Sequence, residues 1–193
     1  MPITHVNRRG KTYYLHIGKT KTEKDKYYFS LKSSGTLAES IPDGFEIYEN
    51  PDAQVYFRKI QPQLITDIER AIVDKGMRQY SKVKNYQIDI RKDTITIYTA
   101  NQRSDGFSDA LHSLLLATDR SEGFIDNLME PYLNFRPMMR FILIDEGNRE
   151  FVAERYCFRG SIDDWIEIDG PDSLEKLVKR FVKHLGQDSF YEL

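Results

Sequence analysis

Apolar and polar residues alternate with period two through the start of this chain, a pattern a strand can bury on one face and a helix cannot. Tyr13, Leu15 and Ile17 alternate with Thr12, Tyr14 and His16, and Tyr27, Phe29 and Leu31 with Lys26, Tyr28, Ser30 and Lys32. The spacing predicts strands over 11–18 and 26–32, joined by a long polar loop. Ser33-Ser34-Gly35 breaks the pattern and Pro42-Asp43-Gly44 marks a turn. A second hairpin is expected over 45–49 and 54–59, closed by Asn50-Pro51-Asp52. Phe45, Ile47, Val55 and Phe57 join the apolar set.

The polar set is unusual in content. Eight of the residues from Arg8 to Lys32 are Lys or Arg, opposed only by Glu23 and Asp25, and five aromatic residues lie among them. Residues 1–32 carry a net +6 and residues 33–193 a net −8, which together give the formal −2 of the chain. Such segregation draws a polyanion to one end, or docks that end on an acidic patch of the same molecule or of a partner. Each predicted strand places one tyrosine on the polar face: Tyr14, Tyr28, Tyr48 and Tyr56. Aromatic rings on a sheet with cationic neighbours form a platform for stacked bases. The candidate nucleic-acid-binding residues are therefore Arg8, Arg9, Tyr14, His16, Lys19, Lys21, Lys24, Lys26, Tyr28, Lys32, Tyr56 and Arg58. Tyrosine also favours strands for packing alone, so the same face is open to a purely structural reading. In strand order and basic, aromatic composition, the segment resembles the small three-stranded arm-binding domains of tyrosine integrases. No individual residue carries over from that likeness.

Beyond residue 60 the pattern changes to helical spacing. A helix is expected over 62–75, with Pro62 in its first turn, Gly76 as its cap and Leu64, Ile65, Ile68, Ala71 and Ile72 as its apolar stripe. Thr66 and Glu69 have capping-box spacing, which would move the start later. The polar, basic residues 77–84 are a candidate linker between an N-terminal basic β-rich subdomain, 1–76, and a C-terminal domain, 85–193. In the latter, strands fit 85–91, 94–99, 138–145, 149–159 and 164–168, and helices 107–119, 121–130 and 173–185. The fold class is thus α+β: an N-terminal antiparallel sheet with one helix, then a ββααβββα unit. The last helix is the plainest, with Ser173 to cap it, Leu174, Leu177, Val178, Phe181 and Leu185 on one face, and Gly186 to stop it. The tail with Phe190, Tyr191 and Leu193 is expected either to pack on the body or to dock on another chain.

A chain of 193 residues can bury a sizeable core without staples. Its single cysteine, Cys157, excludes an intrachain disulfide and a cysteine-rich zinc site. The N-terminal residues lack the apolar core of a secretory leader, and no apolar run is long enough to span a bilayer. A cytoplasmic protein without membrane contact is expected.

Catalytic signals are few. Gly18-Lys19-Thr20 imitates the end of a phosphate-binding P-loop, but the position five residues before Gly18 is Tyr13, and no helix follows. Gly10-Lys11-Thr12 fails for the latter reason. Cys157 lies between Arg155 and Arg159, whose charges would favour thiolate, with His112 or His184 as a base from elsewhere in the fold. A lone strand cysteine is more commonly buried and inert. Asp163, Asp164, Glu167 and Asp169 surround Trp165 and would suit Mg²⁺ in phosphodiester chemistry. The first two are expected in a turn and the others on the outward side of a strand. Asp89-Ile90-Arg91 approximates a nuclease triplet with Arg in place of Lys. Asp109 and His112 share a predicted helix face and read as solvated.

The expected function is a nucleic-acid-associated binding module, DNA and RNA undistinguished, with no cofactor and no metal. The alternatives are a protein-interaction subunit of a larger assembly and a metal-dependent nuclease or hydrolase. The possible partners are thus nucleic acid or another protein subunit.

Overall fold

The computed structural model of the chain describes residues 1–100, 133–159 and 162–193. The helices expected over 107–119 and 121–130, with Asp109 and His112, lie outside those residues. The architecture mixes sheet and helix and is mostly strand. It divides into two compact units, one built on Met1–Ile60 and the other on Gln61–Gln102 with Asn134–Leu193. Among the described residues no helix is long and apolar enough to cross a membrane.

In the first unit β1 (Thr4–Val6), β2 (Thr12–Lys19) and β3 (Asp25–Ser30) form an antiparallel sheet in that order. Tyr14 lies opposite Ser30, Leu15 opposite Phe29, His16 opposite Tyr28 and Ile17 opposite Tyr27, so the two expected faces exist. β4 (Phe45–Glu49) and β5 (Val55–Lys59) form the second hairpin. It packs across the apolar face of the first sheet. The Tyr27 and Phe57 rings lie 5.3 Å apart, and Phe57 stacks on Phe45. His5 Nε2 meets Glu49 Oε2 at 2.7 Å, and the Asn7 amide donates to the Ala53 carbonyl. Contacts thus reach both β1 and β3. Leu15, Ala53 and Val55 are buried between the layers, whereas Leu31, expected there, is exposed. Leu31 falls just beyond β3, where no strand register holds it inward.

The second unit is a five-stranded antiparallel sheet with helices against one face. Its strands are β6 (Tyr86–Arg91), β7 (Thr94–Ala100), β8 (Phe135–Asp145), β9 (Glu150–Arg159) and β10 (Ile162–Ser173), ordered β10-β9-β8-β7-β6. The helices are α1 (Asp67–Tyr80) and α2 (Leu174–Phe181). Val73 and Met77 of α1 meet Leu177, Val178 and Phe181 of α2 over Ile95, Ile97, Met139, Phe141, Phe151 and Ala153 of the sheet. The helix assigned from sequence to the N-terminal subdomain therefore belongs to this core.

α1 starts at Asp67, five residues later than its Pro62 signal, because the Thr66–Glu69 capping box closes there in full. Its buried ridge is Glu69, Val73, Gly76 and Met77, and Ile68, expected in the stripe, is 74% exposed. Gly76 does not end the helix. A Cβ there would lie 2.1 Å from Val178 Cγ1, so the missing side chain lets α1 and α2 approach. Residues 77–80 of the expected linker complete α1, with Met77 fully buried.

Ser173 takes the capping backbone conformation of α2 without a side-chain cap bond. A 3-10 turn over Val182–His184 follows, and Gly186, at φ +74°, ends the segment. The tail forms a short 3-10 helix over Asp188–Glu192 and packs on the body: Phe190 joins the core, and Arg155 Nε donates to the Leu193 carbonyl. β10 is longer than expected. Asp163 and Asp164 are not in a turn but pair with Phe158 and Cys157, since β9 extends far enough to hold them.

Candidate nucleic-acid interface

The polar face of the β2–β3 hairpin is organised around two rings. Tyr28 and His16, opposite each other, stack with centroids 5.3 Å apart and planes 13° from parallel. His16 is only 5% exposed, while Tyr28 is 44% exposed. The Lys32 carbonyl lies 2.9 Å from His16 Nε2 and can only accept, so that nitrogen carries the proton. Gly35 closes over the imidazole, its would-be Cβ 3.6 Å from Nδ1. Residues 36–38 then run along β2: Ile17 N–H donates to the Thr36 carbonyl, Ala38 N–H to the Leu15 carbonyl, and His16 bridges to Leu37. This strap buries His16, which the sequence pattern assigned to the open surface.

The cations around Tyr28 differ in their freedom. Lys19 is paired with Asp25 at 2.5 Å. Lys21, Lys24, Lys26 and Lys32 are exposed and make no ion pair to a described residue. The loop that carries the first two is a tight turn, not a slack connection. Thr20 N–H donates to the Lys24 carbonyl at 2.9 Å, Thr20 Oγ1 accepts from Lys24 N–H at 3.1 Å, and Glu23 adopts φ +60°. Tyr14 is half-buried on the same face as Tyr28, with Thr4 and Ser30 as its neighbours.

The remaining candidates lie elsewhere. Arg8 is half-buried and its backbone N–H donates to Glu49 Oε1. Arg9 binds Asp52 and the Leu133 carbonyl, each at 3.0 Å. Arg58 binds Glu46 at 2.8 Å and lies 3.7 Å above the Tyr48 ring. Tyr56, 45% exposed, stacks on Tyr48 and donates its hydroxyl to Gln54 Oε1. Tyr27 and Phe57 meet across the layers, so their chain neighbours Tyr28 and Tyr56 point to opposite sides of the unit. The four tyrosines therefore make two separate faces, not one platform. Gly18 was missed from the sequence: the Tyr28 ring leans over it, Cε1 lying 3.4 Å from where a Cβ would stand. A glycine within a strand is the signal of such a close approach.

In the second unit Cys157 is buried on the strand face it shares with Arg155, whose guanidinium turns to the C-terminal carbonyl. His184 is bonded instead to Ser189, and His112 lies outside the described residues. Three of the four acidic residues near Trp165 are tied individually, Asp163 accepting from the Tyr156 hydroxyl, Asp164 from the Trp165 backbone N–H and Asp169 from Arg180, while Glu167 is exposed on the strand. The Asp163 bond, with slight burial and the charges of Asp163 and Asp164, pushes the Tyr156 phenol up. Asp89 is bonded to Arg91 at 2.8 Å. Among the described residues no three His, Cys, Asp or Glu side chains are placed to share a metal ion. A cleft of about 510 Å³ lies along α1 beside β6, where Asp74 accepts from Tyr86 and pairs with Arg78.

No family model, curated protein or solved structure matches the chain.

Proposed function

We propose that the unit built on Met1–Ile60 is a nucleic-acid-binding module, acting in the cytoplasm without a catalytic step of its own. The observation that carries this is the group of four exposed lysines, Lys21, Lys24, Lys26 and Lys32, that make no ion pair to a described residue and share a hairpin and its margin with the exposed ring of Tyr28. An ordinary solvated sheet intersperses both signs of charge. Here only Glu23 and Asp25 oppose the cations of the segment, Asp25 is taken by Lys19, and the four lysines are left without an ion pair to a described residue. The contact surface is Tyr14, Lys26, Tyr28 and Lys32 with the loop lysines beyond.

The test is fluorescence polarisation of the whole chain with labelled oligonucleotides across a salt series. Four phosphate contacts to a single strand imply a slope of about −3 in log affinity against log salt, or about a 50-fold loss between 50 and 200 mM. Absence of binding at 50 mM would remove the proposal. A second reading, a protein-interaction subunit, is favoured by Phe158, which is 71% exposed on the side of β9 away from the helices. Nuclease-resistant co-purification with a defined stoichiometric partner, lost on Phe158→Ser, tests it.

We also propose that the chain from residue 85 follows the order ββααβββα, which the order of β6–β10 and α2 fits. Helical content by circular dichroism above that of α1 and α2 alone is the check.

A further inference from the structure

We infer that the Tyr28 face takes single-stranded rather than duplex nucleic acid, one base stacking on the outer side of the Tyr28 ring. The inference rests on the nucleic-acid-binding function proposed above and names its substrate class.

One side of the Tyr28 ring lies against His16, nearly parallel to it. His16 is itself buried and fixed by the Lys32 carbonyl and the strap over 36–38. The 44% of Tyr28 that meets solvent is therefore its other side and its rim. β3 is an edge strand among the described residues, so none of their strands lies beyond it to place side chains beside that open surface. The ring is already held when a ligand arrives, so little side-chain freedom is lost on stacking. Lys26 stands two residues along the same strand face, about 7 Å away. From there it can hold the phosphate of a nucleotide whose base lies on Tyr28.

A duplex offers these groups much less. Its bases are stacked inside, and a ring on a flat sheet reaches one only if the base is flipped out, at a cost of a few kcal/mol. The single strand pays little of that. Nor can a second ring share the work from the other side, because Tyr56 points away from this face. The hydroxyl is not needed, since stacking uses the π-surface.

The experiment compares a short oligothymidylate with a duplex of the same length by polarisation at about 50 mM salt, using the full chain. The single strand should bind at least tenfold more tightly. Tyr28→Leu keeps apolar cover over His16 but removes the ring, and Tyr28→Phe keeps the ring. The Leu variant should weaken single-strand binding by about 5- to 150-fold, the loss of one base stack, with duplex binding changed less than twofold. The Phe variant should bind like the parent. Equal or tighter duplex binding, or a Tyr28→Leu variant of unchanged melting temperature and unchanged single-strand affinity, overturns the inference and leaves nucleic-acid binding through phosphates alone. Absence of binding to both probes overturns the proposed function itself.

Discussion

At the scale of single residues, two positions show side chains set by partners far along the chain. Gly76 sits inside α1, where alanine is ordinarily better by about 1 kcal/mol. Here the added methyl would meet Val178 at 2.1 Å, and overpacking of this kind costs about 1–3 kcal/mol. Gly76→Ala is expected to lower stability in urea unfolding. Combining it with Val178→Ala should cost less than the sum of the two, because the new methyl then has room. A Gly76→Ala protein more stable than the parent by the full helix gain of about 1 kcal/mol would refute the close approach. Glu69 is the second such residue. Burial alone would raise its carboxyl, but the Arg149 guanidinium and the Thr66 N–H and hydroxyl outweigh that and hold it below the usual carboxylate range. The stabilisation is full above the unfolded value, about 4.3, and is lost as pH falls through the lower folded one. Glu69→Gln should cost about 1–2 kcal/mol near pH 7, modest because Arg149 is partly exposed and screened. The difference from the parent should shrink below about pH 4, as thermal melts across pH would show.

At the scale of elements, hairpins were the most legible feature. Their register follows from a period of two and a local turn, and both are written within a few residues of each other. The β2–β3, β4–β5, β6–β7 and β8–β9 pairs fall close to where alternation puts them. Elements too short to show a period were not legible. Thr4–Val6 is a three-residue strand, and residues 36–38 form a strap whose only sequence mark is Leu37-Ala38 after a Ser-Ser-Gly break. The C-terminal tail also depended on its surroundings, since an aromatic tail reads equally as docked or free. Phe190 is buried among core residues, so Phe190→Ala is expected to destabilise the protein by about 3–5 kcal/mol. Denaturant midpoints for that variant and for Tyr191→Ala, whose ring is exposed, would separate a packed tail from a loose one.

At the scale of the whole molecule, the charge asymmetry is what a polyanion senses. A chain with a net charge of −2 should bind nucleic acid poorly unless local contacts dominate. Replacing Lys21, Lys24, Lys26 and Lys32 together by Gln is expected to flatten the salt dependence almost completely. The same change in net charge made at Lys75, Lys82, Lys84 and Lys179, all exposed in the second unit, should leave the slope nearly unchanged. If both sets act alike, the effect is net charge and not a site.

Alternation and local turns account for the hairpins, the two faces of each and the surplus of cations over residues 1–32, because all of these depend on neighbours in the chain. Which of those faces meet depends on packing between segments distant in the chain. Packing of Tyr27 on Phe57 turned two tyrosine-bearing faces away from each other, and the strap over β2 withdrew His16 while leaving Tyr28 stacked on it and open. It also moved α1 to the second unit's core, since the helix needed the complementary surface of α2 at Gly76, some hundred residues away in sequence. Such contacts depend on shape and distance between segments, and no local pattern of residue types encodes them.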